Sequence, residues 1–336
     1  MRSRHPVRLV LFAAGSILAV AHRAAALDTH RADVAGFIER VAARDSFDPR
    51  RLRAILAAAR IQPAILAAMA RPAEKTLSWR RYRPIFLNEQ RIQEGVDFWV
   101  AHRRELARSS ARTGVAPQYL VAILGVETYY GRLTGQYRVL DALATLAFDS
   151  APRSRFFRVQ LEQFLLLARA QHINPLTALG SYAGAMGAPQ FMPSSYRRYG
   201  LDATADAHVD LWSNWPDIFD SVGYFLREHG WQTGRPVLRR ARVAAGRTPP
   251  AAGTDLGAPM SVAALRAEGV RIDGAPGPRH RAWLIAADGR NGPEWRVGFA
   301  NFHAITHYNH SPLYAMAVHD LAVAIKRRVL SLRTAP

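Results

Sequence analysis

Glu127 is the residue of this 336-residue chain whose type and setting best suit acid–base chemistry. It stands in the run Leu120-Val121-Ala122-Ile123-Leu124-Gly125-Val126-Glu127-Thr128-Tyr129-Tyr130-Gly131. On a helix, Leu120, Ile123, Leu124 and Glu127 share one face, so the carboxyl group extends an apolar stripe. Loss of water disfavours its charged form, and Gly131 places it in the last turn, where the helix dipole is negative. Both effects push its pKa upward. A glutamic acid still protonated near neutral pH can protonate a glycosidic oxygen. The same spacing also suits a structural Glu at a helix edge, paired with Arg132 or Arg138, and spacing alone favours that plainer role.

A two-carboxylate glycosidase needs a second Asp or Glu roughly 5–9.5 Å from the first. Asp141, Asp149 and Glu162 are near in sequence, but they fall in segments that read as helix starts or exposed faces. A single-carboxylate mechanism fits more simply. Elsewhere, Asp202-x-Thr204-x-Asp206-x-His208-x-Asp210 sets oxygen-bearing groups at alternate positions, with Asp217 as a closing ligand, as loops for hard cations do. Against metal binding, Ala207 occupies the sixth position, where a sharp turn favours Gly, and Ser213 the twelfth, where a bidentate Glu is usual. A bound ion would be structural; otherwise the segment is a solvated turn.

The elements that must position these groups are mostly helical. From Val34 to Ala70 apolar residues recur at helical spacing, with breaks at Pro49 and Pro63. One long helix is expected from about Glu89 to Thr113, closed by Gly114. Pro117 opens the helix of Glu127. Further helices are expected over Arg155–Gln171, Trp215–Gly230 and Leu313–Leu332. Gly180 to Ser195 has too many breakers for a long helix and too little charge for an ordinary solvated loop. After Gly234, short runs such as Val270-Arg271-Ile272 and Arg281-Ala282-Trp283-Leu284-Ile285 read as strands of a small β insertion. No internal repeat is present, so solenoids are excluded.

Composition narrows the setting. Arg2, Arg4 and Arg8, the apolar Leu9–Ala21 and the small Ala24-Ala25-Ala26 read as an export signal over residues 1–26, too short to span a bilayer. An uncleaved anchor is the alternative. Cysteine is absent, which excludes disulfides, thiolate metal sites, a Cys nucleophile and a lipoprotein acyl anchor. The net charge is +19; the expected signal holds four of the cations and no acid, leaving +15. Nearly all of it is arginine, the side chain suited to bidentate capture of carboxylate or phosphate. An acidic polymer is the implied partner. An exported protein with scattered arginines and no nucleic-acid module points to wall polymers or anionic lipid rather than nucleic acid.

Gly125-Val126-Glu127-Thr128, Tyr130-Gly131-Arg132, Leu140-Asp141-Ala142-Leu143-Ala144-Thr145-Leu146, Gly184-Ala185-Met186-Gly187, Gln190-Phe191-Met192-Pro193-Ser194-Ser195-Tyr196 and Tyr308-Asn309-His310-Ser311 occur in that order. Together they closely resemble the membrane-bound lytic murein transglycosylase B family, from the Phe37 region to about Val318. The resemblance implies a mainly α (α+β) fold: a lysozyme-like catalytic core with an extra helical domain and a small β domain. Expected boundaries are 27–113 for the helical domain, 114–236 for the core, 237–300 for the β domain and 301–336 for a segment returning to the helical domain and cleft.

The resemblance also implies cleavage of the β-1,4 bond between N-acetylmuramic acid and N-acetylglucosamine without water, leaving 1,6-anhydromuramyl ends, with Glu127 as acid and then base. It implies glycan contacts at Ser181, Gln190, Phe191, Tyr224, Tyr308, Asn309 and Tyr314. Arg153 falls where the family places a basic residue for muramyl carboxylates or peptide stems, although Arg153-Ser154-Arg155 replaces the adjacent arginines common in relatives. Some relatives bind calcium at the loop matching Asp202, Thr204, Asp206, His208 and Asp217; no cofactor is otherwise required. Peptidoglycan glycan strands are the expected partner, in the periplasm, with peripheral membrane association and contacts to wall-synthesis proteins compatible with the sequence. A hydrolytic muramidase and a non-catalytic peptidoglycan-binding protein are the competing readings.

Overall fold

A computed structural model describes residues 25–70, 77–150, 153–249, 256–289 and 292–334. The expected export signal therefore lies outside the described residues, apart from Ala25 and Ala26.

The helices in chain order are α1 (Ala32–Asp45), α2 (Pro49–Ala57), α3 (Pro63–Met69), α4 (Trp79–Phe86), α5 (Glu89–Ala101), α6 (Arg103–Thr113), α7 (Pro117–Thr128), α8 (Val139–Phe148), α9 (Ser154–Ala170), α10 (Pro193–Tyr199), α11 (Trp215–Glu228), α12 (Val262–Ala267), α13 (Ala300–Thr306) and α14 (Pro312–Thr334). The strands are β1 (Tyr137–Arg138), β2 (Leu179–Gly180), β3 (Leu238–Val243), β4 (Met260–Ser261), β5 (Val270–Ile272), β6 (Arg281–Gly289) and β7 (Gly292–Gly298). Prolines open α2, α3 and α7 at their first positions, where the missing N–H costs no intrahelical bond. The fold is mainly helical with a small sheet, as the sequence leads one to expect.

Contacts divide the chain into two units. The first comprises the described residues within 77–130 and 219–334. Its centre is α7, buried at every position from Tyr119 to Thr128 and packed by α5, α6 and α14. The expected single apolar stripe thus understates the burial: this helix is enclosed on all sides, the state of a helix apolar all round. The antiparallel sheet, ordered β4-β6-β7-β3-β5, has its own core of Val262, Leu265, Val270, Leu284, Val297 and Phe299. Leu284 faces Val297 across β6 and β7. Arg296 of β7, nearly buried, pairs with Glu294 and with Asp320 of α14 and so ties sheet to helix. Burial opposes its charge, but those two carboxylates outweigh that and raise its pKa.

The second unit comprises the described residues within 25–70 and 131–218. Here α9 packs on α8, α10 and α1, and α3 packs on α8. β1 and β2 form a short ladder, Tyr137 opposite Gly180.

Two expected boundaries are corrected. The helix expected over Glu89–Thr113 is two helices, interrupted at His102 (φ −106°, ψ 26°). No Gly or Pro marks the break. It is tertiary: the His102 ring packs on Phe98 and Phe219, with centroids 4.6 and 5.8 Å away. The helix of Glu127 is stopped by Tyr129, not Gly131.

Candidate active site

Glu127 occupies the last turn of α7, which ends at Thr128. Tyr129 and Tyr130 follow in the left-handed region, at φ 53° and 62°, a conformation that side-chain-bearing residues adopt only where their surroundings hold them. Here the hold is visible. The Tyr130 ring folds back into a slot between α5 and α7 that exists because both walls carry glycine. A Cβ on Gly125 would stand 2.6 Å from the ring, and one on Gly95 2.4 Å from the Tyr130 hydroxyl. That hydroxyl donates to the carbonyl of Arg91 at 2.7 Å. The Arg91 guanidinium in turn donates to the Gly125 carbonyl and lies over the Tyr129 ring, 4.3 Å from its centroid. A cation on the carbonyls of a helix C-terminus is favourably placed against the dipole. Burial nevertheless lowers the Arg91 pKa. No periodicity in the chain marks Arg91 or the fold-back of Tyr130.

The Glu127 side chain is 7% exposed, and its Oε1 accepts a hydrogen bond of 2.5 Å from the hydroxyl of Tyr314. Tyr314 is fully buried on α14. Burial, then the Glu127 charge, raises its pKa well above the ordinary tyrosine value. Tyr308 is shifted the same way by the same two causes. Both phenols therefore keep their protons, and Tyr314 is a fixed donor to one oxygen of the carboxyl group. Tyr308 packs edge-on against Phe225, with centroids 4.7 Å apart. Asn309 is buried, and its Oδ1 accepts from the Ser311 N–H at 3.2 Å, just ahead of α14. Tyr224, half-buried on α11, lies under the Arg227 guanidinium. All of these belong to the first unit.

Ser181, Gln190, Phe191 and Arg153 belong to the second unit. The first three sit in the breaker-rich Gly180–Phe191 loop and are buried. Ser181 Oγ accepts from the N–H groups of Ala183 (3.3 Å) and Ala185 (3.0 Å), which closes the loop. Gln190, at φ 52°, donates through Nε2 to the carbonyls of Thr134 (3.0 Å) and Gly187 (2.9 Å). Gly187, at φ 67°, lets the backbone meet Leu211, whose carbonyl oxygen would lie 2.2 Å from a Cβ. The Arg153 guanidinium covers Phe156 and Phe157 at 4.9 and 5.2 Å.

The other carboxylates weighed for a two-carboxylate mechanism are engaged. Asp141 is held by Arg138 at 2.7 Å and by the Arg60 N–H at 2.9 Å, Asp149 by Arg31 at 2.7 Å, and Glu162 by Arg44. Arg138, one of the two arginines considered as a partner for Glu127, is thus committed to Asp141.

In the loop after α10, Asp202 accepts N–H bonds from Thr204, Ala205, Asp206 and Ala207. Asp217, fully buried, accepts from Ala203 (2.8 Å) and Asp210 (2.9 Å). Thr204 Oγ1 donates to Asp206 at 3.1 Å, and the His208 ring faces His172. Ala207 makes the tight turn expected of Gly, at φ 67°. Burial first, then the charges of Asp202 and Asp206, raises the Asp217 pKa. Among the described residues no three His or acidic groups stand as a preformed metal shell. Asp202, Thr204, Asp206 and Asp217 offer hard side-chain oxygens and His208 its backbone carbonyl, and each ionised carboxylate has about four acceptor sites, so the chemistry fits a hard cation.

The transglycosylase SLT domain family matches residues 29–323. Membrane-bound lytic murein transglycosylase B of Escherichia coli (strain K12) is 38% identical over 298 residues, 86% of this chain and 81% of that protein. Among solved structures, lytic transglycosylase SltB1 of Pseudomonas aeruginosa is 43% identical, with a TM-score of 0.85 over 89% of this chain and 98% of its own. E. coli lytic transglycosylase Slt35, in complex with calcium, is 36% identical, with a TM-score of 0.83 over 91% and 97%. P. aeruginosa SltB3, in complex with NAG-anhNAM-pentapeptide, is 28% identical, with a TM-score of 0.75 over 87% and 78%. By sequence and by fold, the chain belongs to the SLT family of lytic murein transglycosylases, enzymes that cleave peptidoglycan.

Proposed function

We propose that Glu127 alone serves as acid and then base in a non-hydrolytic cleavage of the MurNAc–GlcNAc β-1,4 bond. The observation that carries this reading is the buried Glu127 carboxyl held at Oε1 by the Tyr314 hydroxyl. With Oε1 occupied as an acceptor, the transferable proton sits on Oε2. It passes to the glycosidic oxygen as the bond from C1 to that oxygen breaks, while the substrate's N-acetyl group stabilises the cationic carbon. The carboxylate then removes the proton of the muramyl O6 hydroxyl as O6 bonds to C1, which closes the 1,6-anhydro ring and restores the acid. Tyr314 donates to Glu127 in both charge states. Enclosure of the carboxyl matters as much as its acidity, because water would divert the cation to a hydrolysed product.

Glycan contacts fall to Ser181, Gln190, Phe191, Tyr224, Tyr308, Asn309 and Tyr314, and Arg153 meets muramyl or peptide carboxylates. Ser181 and Gln190 also shape the backbone around them, Ser181 within its own loop and Gln190 through the carbonyls of Gly187 and Thr134. Asp202, Thr204, Asp206, His208 and Asp217 hold a structural calcium ion, a reading supported by their hard donors and by the calcium in Slt35. The boundaries 27–113, 114–236, 237–300 and 301–336 remain our domain assignment, and residues 1–26 an export signal to the periplasm. No helix among the described residues is long and apolar enough to cross a membrane.

Digestion of purified peptidoglycan followed by mass spectrometry of the released muropeptides tests the chemistry. Anhydro ends, lighter by one water than reducing ends, are expected; reducing ends throughout would make the enzyme a muramidase.

A further inference from the structure

In the second unit, α1 and α9 border an open groove of about 760 Å³. Phe37 and Val41 form its apolar floor, and Val159 edges it, 46% exposed. Each helix faces the groove with a three–four stripe that carries two arginines: Arg40 and Arg44 on α1, Arg155 and Arg158 on α9. Glu162 is the one carboxylate in the lining.

The four cations are not equivalent. Arg44 is paired with Glu162, and Arg158 with Asp33 at 3.1 Å. Arg40 and Arg155, both exposed, have no ion pair among the described residues. Gly36 leaves room for one of them: a Cβ there would lie 3.3 Å from Nη1 of Arg40. Two unpaired guanidinium groups on opposite walls of an apolar-floored furrow suit an extended ligand with spaced carboxylates, each taken up bidentately.

We propose that this groove binds the carboxylate-bearing stem peptides of peptidoglycan, as a second contact with the wall polymer on helices that do not carry Glu127. The choice of ligand rests on the peptidoglycan-cleaving reading; the anion site itself does not. A peptide is favoured over an anionic membrane because the arginines line a concavity, whereas a flat lipid surface would meet only its rims.

The test is fluorescence anisotropy of a labelled stem tetrapeptide, L-Ala-γ-D-Glu-meso-diaminopimelyl-D-Ala, with the full chain. Saturable binding is expected, weakened about tenfold or more in the Arg40→Gln/Arg155→Gln double variant. Val159→Glu, an exposed change that sets a carboxylate in the groove, should weaken binding comparably; melting curves control for folding. Glu127→Gln should bind the peptide as wild type does. No binding to wild type, or equal binding to both groove variants, overturns the proposal. So does loss of peptide binding in Glu127→Gln, which would place the peptide at the catalytic carboxyl. If the double variant loses binding to phosphatidylglycerol vesicles while keeping the peptide, the groove is a lipid site and the proposal fails. Groove-dependent peptide binding by a wild-type protein that cleaves no glycan would overturn the catalytic reading and leave this one standing.

Discussion

Tyr314 and Glu127, 187 positions apart, meet through a 2.5 Å hydrogen bond from the phenol to Oε1 of the carboxyl group. In the proposed mechanism this bond leaves Oε2 to carry the transferable proton. A hydrogen bond to a charged group contributes about 1.5–3 kcal/mol, so Tyr314→Phe should lower turnover roughly 10- to 100-fold while leaving the ring packed. Release of muropeptides from purified sacculi measures the loss, and a melting curve checks the packing. Wild-type turnover in Tyr314→Phe would remove this tyrosine from the mechanism.

Gly125 matters through Tyr130 rather than through flexibility. Its Cβ would lie 2.6 Å from the Tyr130 ring, so Gly125→Ala must expel that ring or shift α7. Destabilisation of about 1–3 kcal/mol is expected from overpacking, together with loss of activity as the last turn moves. Chemical denaturation with parallel turnover assays reads both.

The pair at Arg296 and Asp320 joins the sheet to the helix that carries Tyr314. Removing one partner leaves the other charge enclosed, so Arg296→Ala should cost about 3–5 kcal/mol. Arg296→Met with Asp320→Leu removes both charges and should recover much of that stability. Denaturant midpoints of the two variants decide the point.

His319 on α14 is held neutral: burial lowers its pKa to about 4, and its Nδ1 lies 2.9 Å from the Tyr119 hydroxyl. The unfolded chain protonates this residue below about pH 6.5 and therefore binds more protons than the native state between pH 6.5 and 4. The contribution is fully present above pH 6.5 and is lost as pH falls towards 4, amounting to roughly 3 kcal/mol at most. His319→Gln should flatten the unfolding free energy across that window. An unchanged slope would contradict the assignment.

Calcium should act on stability and not on chemistry. At one hundred times its dissociation constant, an ion bound only by the native state adds about 2.7 kcal/mol, seen as a rise in melting temperature that EDTA reverses. Asp202→Asn/Asp206→Asn should abolish the rise. The initial cleavage rate at low temperature should be the same with and without the ion.

What could be read from the sequence was local. Pro49, Pro63 and Pro117 open α2, α3 and α7, and alternating runs mark β5 and β6. The apolar run around Glu127 announced a carboxyl group in a dry place. Hidden from it were features made by tertiary contact. No breaker foretells the interruption at His102, which follows from ring packing on Phe219. Tyr129 and Tyr130 are poor candidates for left-handed backbone by type, and their conformation depends on a slot that needs Gly95 as well as Gly125. Arg91 reaches the Gly125 carbonyl from another helix. Ser181 and Gln190 were in view as sugar contacts, yet in the fold Ser181 holds the backbone of its own loop and Gln190 ties that loop to the Thr134 carbonyl, which composition does not reveal.

The most direct measurement is turnover of the Glu127→Gln variant on purified sacculi, with released muropeptides weighed by mass spectrometry. Glutamine keeps the shape and can still accept from Tyr314, so the variant should fold as wild type and release no anhydromuropeptides above background. Release at the wild-type rate would contradict the assignment of Glu127 as the acid and base.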